Sequence, residues 1–377
     1  MQSNTSPQAK KRYANNKAEH IGSFLRALKL KKARYDFADR MIYQETLRQV
    51  EDQEILNLID IQFENECHVM TDGDFRRGSW DLDFFEELIG IKRIKTRQGT
   101  QFHDAITKAH DISIMDKIAF PEDHPCLAHY RFLHQAVDGV ATAKYCVPSP
   151  MMLLSPKLRK NLPYQNNMTD YFADIISTYK AMLLALYGQG CRYIQFNDMF
   201  LAYLCDENSR QQEAQKGVDP EQLAEHAVYL LNSILENKPE DLIIALHIQR
   251  GNFLSSWLYQ GGYASVADTV LAKLNNIDRF FLEFDSARCG DFEPLKAFQN
   301  SDAEVFLGLI SSKNEWLETK DEIKAKILAA TAYLPLAQLG LSLQSGFASM
   351  EEGNKISYDT QWKKLQLLNQ VAKEVWA

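Results

Sequence analysis

Residues 241–257 read DLIIALHIQRGNFLSSW: five apolar residues, Leu242 to Leu246, run straight into His247, Gln249 and Arg250. An apolar run of that length is too short for an amphipathic helix and reads as a strand buried on both faces. Side chains alternate along an extended chain, so His247 and Gln249 project to the same side where the strand emerges. The same form, a short apolar run ending in polar groups, recurs at about 21–25, 68–73, 141–147, 193–198, 279–285, 305–311 and 339–345, with helical segments between. Short buried strands alternating with helices over more than about 250 residues predict an α/β protein, a (β/α)8 TIM barrel with its site at the C-terminal ends of the strands.

Working outward, residues 1–377 are read as one barrel domain, since such barrels exceed roughly 250 residues as a single unit. The start, MQSNTSPQAKKRYANNK (1–17), is polar and basic and is expected to be a mobile arm. From about 91 to 138 the chain alternates charge with isolated β-branched and aromatic residues, which suits a hairpin or irregular insertion between strands 2 and 3. Its histidines 103, 110, 124, 129 and 134 lack tight metal-ligand spacing. The run 207–220 is polar and is expected to be a loop.

Composition narrows the partners. A net charge of −8 with 45% hydrophobic residues describes a globular chain without the basic excess that nucleic-acid binding calls for. Six cysteines lack CxxC spacing and no apolar run reaches about 18 residues, so a reducing, cytoplasmic setting without a membrane span is expected. Neither GxGxxG nor GxxxxGK[ST] occurs, which argues against nucleotide cofactors of those kinds. Small molecules remain as the natural partners.

Candidate site residues lie where the strands end. TDGDFRRGSW brings Asp72, Asp74, Arg76 and Arg77 into six positions; IQFND ends in Asn197 and Asp198; Glu283 sits inside an aromatic strand with Cys289 six residues on; LSLQS ends in Gln344 and Ser345. A carboxylate such as Glu283 is costly to bury unpaired, so it faces the barrel mouth or has a partner. If the barrel closes, His247, Glu283, Asn197, Asp198, Asp74 and Ser345 converge on one open face.

The segments HIGSFLR (20–26, including Ser23), TDGDFRR, CVPSP, IQFND, HIQRGNF, FLEFDSARCGDFEPL, LGLISSK and LQSGFASMEEGNK resemble, in order, the catalytic domain of cobalamin-independent methionine synthases, and more closely their short single-barrel bacterial relatives. The resemblance implies transfer of a methyl group from a folate to the thiol of homocysteine, held as thiolate on zinc. It also implies zinc ligands at His247, Gln249, Glu283 and Ser345, the second and fourth being cysteines in the family. With an amide and a hydroxyl there, zinc is expected to bind weakly or not at all, unless Cys289 substitutes. The resemblance further places ammonium recognition at Asn197, where the family has aspartate, and at Asp74, where it has glutamate, with Asp198 retained. Arg76, Arg77, Ser23 and Gln344 complete the expected substrate-binding set, and His247, Glu283 and Asp198 the catalytic one.

Three readings stay open. One is an S-methyltransferase with altered activity, acting on a thiol or amino acid with a folate. The second is a metal-free enzyme using His247 and Glu283 as acid and base on a carboxylate-bearing molecule. The third is a small-molecule-binding regulator without catalysis.

Overall fold

The computed structural model describes residues 16–376 except 138, 161, 165 and 166, so residues 1–15 of the expected arm lie outside the described residues. The strands are β1 Ala18–Glu19, β2 Val69–Met70, β3 Ile89–Lys95, β4 His110–Ala119, β5 Thr142–Ala143, β6 Tyr145–Pro148, β7 Tyr193–Asp198, β8 Ile243–Ile248, β9 Arg279–Glu283, β10 Glu304–Ile310 and β11 Leu339–Leu343. Seven pair in parallel in the order β1-β11-β10-β9-β8-β7-β6. A second parallel ladder joins β2 to β5, and only Lys144 separates β5 from β6. The Lys144 N–H donates to the Met70 carbonyl at 2.9 Å, carrying the pairing across the gap. At the other edge Ser23 bridges Gly73 in parallel register, with the Phe24 N–H on the Gly73 carbonyl at 3.1 Å. The result is a curled, TIM-barrel-like α/β fold. The core strands read as continuous apolar runs because both faces are covered.

The longer helices are α1 Leu28–Ala38, α2 Gln44–Glu64, α3 Pro125–Ala136, α4 Met168–Gly188, α5 Phe200–Cys205, α6 Glu207–Gln215, α7 Pro220–Leu235, α8 Lys320–Ala330 and α9 Tyr358–Trp376. Local chemistry starts them. Asn167 accepts the Thr169 and Asp170 N–H groups ahead of α4, Asp219 caps α7 with Pro220 in its first turn, and Thr319 with Glu322 forms a capping box on α8. The α4 residues Tyr171, Ile175, Tyr179, Met182 and Leu186 make one buried stripe at helical spacing.

Three expectations change. The first strand is Ala18–Glu19, not 21–25, because Gly22 has a positive φ of 139° and turns the chain before the Ser23 bridge. Residues 207–215 form a helix rather than a loop, with the Asp206 side chain accepting the Ser209 N–H at 2.8 Å; its polarity reflects an outer position, with Ser209 and Glu213 buried. The stretch 91–138 holds the antiparallel β3–β4 hairpin and then a true helix, α3, started by His124 and Pro125 and burying Cys126, Leu127, Tyr130 and Leu133.

The hairpin tip reaches the loop after β8. The His103 N–H donates to the Trp257 carbonyl at 2.8 Å, the Asp104 N–H to Ser256 Oγ at 2.9 Å, and the His103 ring stacks on Trp257 with centroids 4.3 Å apart. At the opposite end of the strands lies a buried layer of charge. Glu19 accepts Lys144 Nζ at 3.0 Å, the Tyr193 hydroxyl at 2.9 Å and the Arg279 guanidinium, and Arg279 continues to Glu304 at 2.9 Å.

Candidate functional site

Register places the site. On β7 and β8, Asn197 stands opposite His247; Glu283 ends β9, and Gln344 follows β11. One hydrogen-bonded chain links them. Gln195 Nε2 donates to the Ile21 carbonyl at 2.7 Å and to Asn197 Oδ1 at 2.8 Å. His247 Nδ1 lies 3.2 Å from the same Asn197 oxygen, and its Nε2 3.3 Å from the Gln344 carbonyl. Gln344 Nε2 then donates to Glu283 Oε1 at 3.1 Å, while its Oε1 accepts Ser312. The Arg250 backbone N–H donates to Glu283 Oε1 at 3.0 Å.

The chain of bonds orients the two amides. The Ile21 carbonyl can only accept, so Gln195 presents its amide nitrogen, and Asn197 must answer with its oxygen. Both ring nitrogens of His247 face acceptor oxygens, Nδ1 the Asn197 amide oxygen and Nε2 the Gln344 carbonyl, and the single N–H of the neutral ring serves one of the two. Burial pushes its pKa down to about 3, the Gln344 carbonyl opposing, so the ring stays neutral. With its oxygen committed twice, Asn197 is left with its NH2 as the group it can offer a ligand.

Glu283 is fully buried, which raises its pKa against the lowering effect of Arg250. The Arg250 guanidinium bonds the Gly261 carbonyl and the Tyr263 hydroxyl, and its Nη1 lies 3.9 Å from Glu283 Oε2. That oxygen has no hydrogen-bond partner among the described residues, and neither has the buried Ser345 hydroxyl. Asp285 and Cys289, from the loop after β9, have donor atoms within 4.8 Å of Glu283 and of each other.

Not every expected residue joins this cluster. Asp198 alternates to the outer face of β7, where its carboxylate accepts the Leu201 N–H at 2.6 Å; burial raises its pKa to about 7. Arg76 points away, to Glu51 at 3.4 Å and to Asp52, with Phe132 beneath its guanidinium. Asp74 and Arg77 pair at 3.3 Å, and Arg77 also donates to the Cys146 carbonyl at 2.8 Å. Burial raises Asp74, with Arg77 opposing. Ser23 ties the first strand end to the loop after β11: its carbonyl accepts the Phe347 N–H at 2.9 Å, and its Oγ would meet any Cβ on Gly346 at 2.0 Å. Gln249 is buried beyond β8, its N–H on the Asp198 carbonyl at 2.8 Å.

Sequence reasoning missed Lys313. It is half-buried at the end of the LGLISSK segment, and its Nζ donates to the Gly251 carbonyl at 2.9 Å and Asn252 Oδ1 at 2.8 Å. Burial lowers its pKa to about 8, with Glu283 opposing. Its signal was a lone lysine three residues past the buried strand β10. Among the loops after β2, β7, β8 and β11 lies a cavity of about 160 Å³ lined by Trp80, Phe102, Met199, Phe253 and Met350.

Zinc chemistry provides a test of the family ligand positions. His247 Nε2 and the unpartnered Glu283 Oε2 fit as donors, but the Gln249 amide and the Ser345 hydroxyl are neutral oxygen or nitrogen groups where tight sites use thiolates. The four together do not fit a tight zinc centre.

Parallel strands carrying a neutral histidine, a buried carboxylate and two amides into one cluster at their C-terminal ends define a TIM-barrel-like α/β protein with a buried polar site. No family model matches the sequence. The chain is 40% identical over 381 residues to the uncharacterised protein YxjG of Bacillus subtilis, covering 100% of both chains. It is 34% identical to a Listeria monocytogenes protein provisionally described as a vitamin-B12-independent methionine synthase, whose crystal structure it matches with a TM-score of 0.75 over 96% of this chain and 98% of that one. A B12-independent methionine synthase from Shewanella sp. W3-18-1, solved with selenomethionine, shares the fold at 17% identity and a TM-score of 0.68, over 95% and 97% of the two chains. The chain belongs to the cobalamin-independent methionine synthase catalytic-domain family. Among the described residues no helix is long and apolar enough to cross a membrane.

Proposed function

We propose that the chain is an S-methyltransferase of this family, moving a methyl group from a folate to a small thiol whose recognised end is a carboxylate rather than an ammonium group. This reading takes the two parallel ladders and the Ser23–Gly73 bridge as one closed (β/α)8 barrel, with the hairpin as its insertion. The observation that carries it is the state of the two positions that resemble the family's ammonium ligands. Asn197 is neutral and offers its NH2, and Asp74 is already paired with Arg77. An ammonium group would meet a donor at one and a neighbouring guanidinium at the other, and each lost charge-assisted bond is worth roughly 1.5–3 kcal/mol. A carboxylate suits both the amide donor and Arg77. The neutral His247 and the buried Glu283 line the far wall, where they orient the thiol and exclude water.

The test compares homocysteine with 4-mercaptobutyrate, which keeps the thiol and carboxylate and lacks the amine. The expected outcome is greater thermal protection by 4-mercaptobutyrate, and its S-methyl product by mass spectrometry when 5-methyltetrahydrofolate polyglutamate is supplied. A ligand at 100 times its Kd stabilises by about 2.7 kcal/mol, which a thermal shift resolves. Strong, selective protection by homocysteine at submillimolar concentration would sink the substrate assignment. A second reading, metal-free acid–base chemistry on a carboxylate-bearing molecule, draws on the link from His247 through Gln344 to Glu283; protection by carboxylates lacking a thiol, without methyl transfer, would favour it.

A further inference from the structure

At the end of β9, Glu283, itself one of the family ligand positions, comes together with two groups outside them, Asp285 and Cys289. Glu283 and Asp285 project to the same side of the extended chain, and the short turn Ala287–Cys289 brings Cys289 back to them. One carboxylate oxygen from each acid and the Cys289 Sγ all lie within 4.8 Å of one another, with Sγ 3.7 Å from Asp285 Oδ1. Proximity of acids and a thiol alone would not make a site. The independent observation is Glu283 Oε2, an oxygen of a fully buried side chain left without a hydrogen bond, while Oε1 takes both the Arg250 N–H and the Gln344 amide. A buried carboxylate oxygen without a donor is costly unless something supplies one.

We infer that Glu283, Asp285 and Cys289 form a binding site for a thiophilic divalent cation such as zinc, displaced from the family position towards the loop after β9. The donor set is two carboxylate oxygens and one sulfur, a combination zinc accepts, and it leaves a coordination position for water or a small thiol. On binding, the Cys289 S–H gives its proton to solvent and its sulfur lone pair to the metal, so the ion adds two positive charges and the thiol loses one. Arg250 forms an ion pair with Oε2 at 3.9 Å, too long for a hydrogen bond, while its guanidinium N–H groups bond Gly261 and Tyr263, so the metal shares the carboxylate charge with Arg250 and takes the lone pair that no N–H fills. Asp285 is held from its other oxygen by Ser311 Oγ at 2.9 Å, which leaves Oδ1 turned towards Cys289. Arg288 lies 3.6 Å from Oδ1 and must yield some of that contact to the metal. A groove of about 670 Å³, lined by Trp257, Asp285, Arg288, Ser311, Lys313 and Trp316, provides a route from the surface.

The inference is tested without turnover, so it stands or falls separately from methyl transfer. Metal-free protein is titrated with Co²⁺, which reports a bound thiolate by its near-ultraviolet sulfur-to-cobalt absorption, and zinc content is measured after purification without chelators. The expected result is one ion per chain with the thiolate band. The band should be absent in Cys289→Ser and Cys289→Ala, and the affinity at least tenfold lower in Asp285→Asn. Both should be retained in His247→Ala, because His247 belongs to the family position and not to this one. Thermal unfolding of each variant checks that it is folded, and the two cysteine variants guard against a folding defect in either. Failure to bind Co²⁺ or Zn²⁺, or binding that survives loss of Cys289 and disappears with His247, would overturn the inference.

Discussion

Asp198 and Asn197 are adjacent on one strand and do opposite work. Asn197 faces the buried cluster, where its oxygen lies 3.2 Å from His247 Nδ1; Asp198 faces the helix layer, where it holds the Leu201 N–H. Resemblance groups the two as one motif, and only the alternation of β7 separates them. Asp198 has a measurable consequence. Burial raises its pKa from the ordinary 3.8 to about 7, so between those values the folded state holds a proton that the unfolded state has released. Stability therefore falls as pH rises through that window, and the penalty is complete above about pH 7. In Asp198→Asn the amide cannot ionise and its oxygen still accepts Leu201. Urea unfolding at pH 4.5 and pH 8 should show a smaller loss for the variant, by about 3 kcal/mol at roughly 1.4 kcal/mol per pKa unit; equal losses would remove the assignment. The placing of His247, Glu283 and Gln344 together at the strand ends was legible from where apolar runs end. The inward or outward sense of Asp198 and Arg76 was not, because it depends on register and on partners such as Glu51 that are distant in sequence.

Among the elements, the strands legible in the sequence were those whose faces are both apolar. β7 lies at 193–198 as read, and β8, β9, β10 and β11 lie within about two residues of their expected bounds. β1 was displaced because its inward residue is Glu19, and an ion-paired carboxylate breaks the apolar pattern on which the reading rests. Helix α6 was hidden for a related reason: with few apolar residues it has no stripe to detect, and its start depends on the Asp206 cap. The hairpin could be read as an excursion, but its docking could not, since that depends on His103, Trp257 and Ser256 meeting across more than 150 positions. Trp257 is central to the contact, with the His103 ring stacked on it and Arg288 4.4 Å from its centroid. Trp257→Ala should release the tip, and amide exchange across 99–107 should quicken at least tenfold while the β8 amides stay protected. Unchanged exchange at the tip would show that the backbone bonds at residues 103 and 104 suffice.

For the molecule as a whole, the two ends of the strands are built from different materials. The floor is ionic: Lys144, fully buried, reaches Glu19 and the His20 carbonyl, while Arg279 spans Glu19 and Glu304. Removing one member strands its partner in a medium of low polarity, so Lys144→Met should cost about 3–5 kcal/mol in chemical denaturation even though methionine fills the volume. A loss below about 1 kcal/mol would mean that Tyr193 and Arg279 satisfy Glu19 without it. The rim, by contrast, is made of loops that bind one another through amides and hydroxyls: Asn252, Ser312, Gln344 and Asn354.

Arg279 and Glu283 stand at opposite ends of β9, four residues and about 13 Å apart. That distance separates inheritance from invention. Groups at one end can be exchanged, as with Gln249 and Ser345 at the positions where the family resemblance implies cysteines, while the charges at the other end go on specifying the same architecture. Kinship measured along the whole sequence counts both ends alike, yet only one of them carries the candidate site.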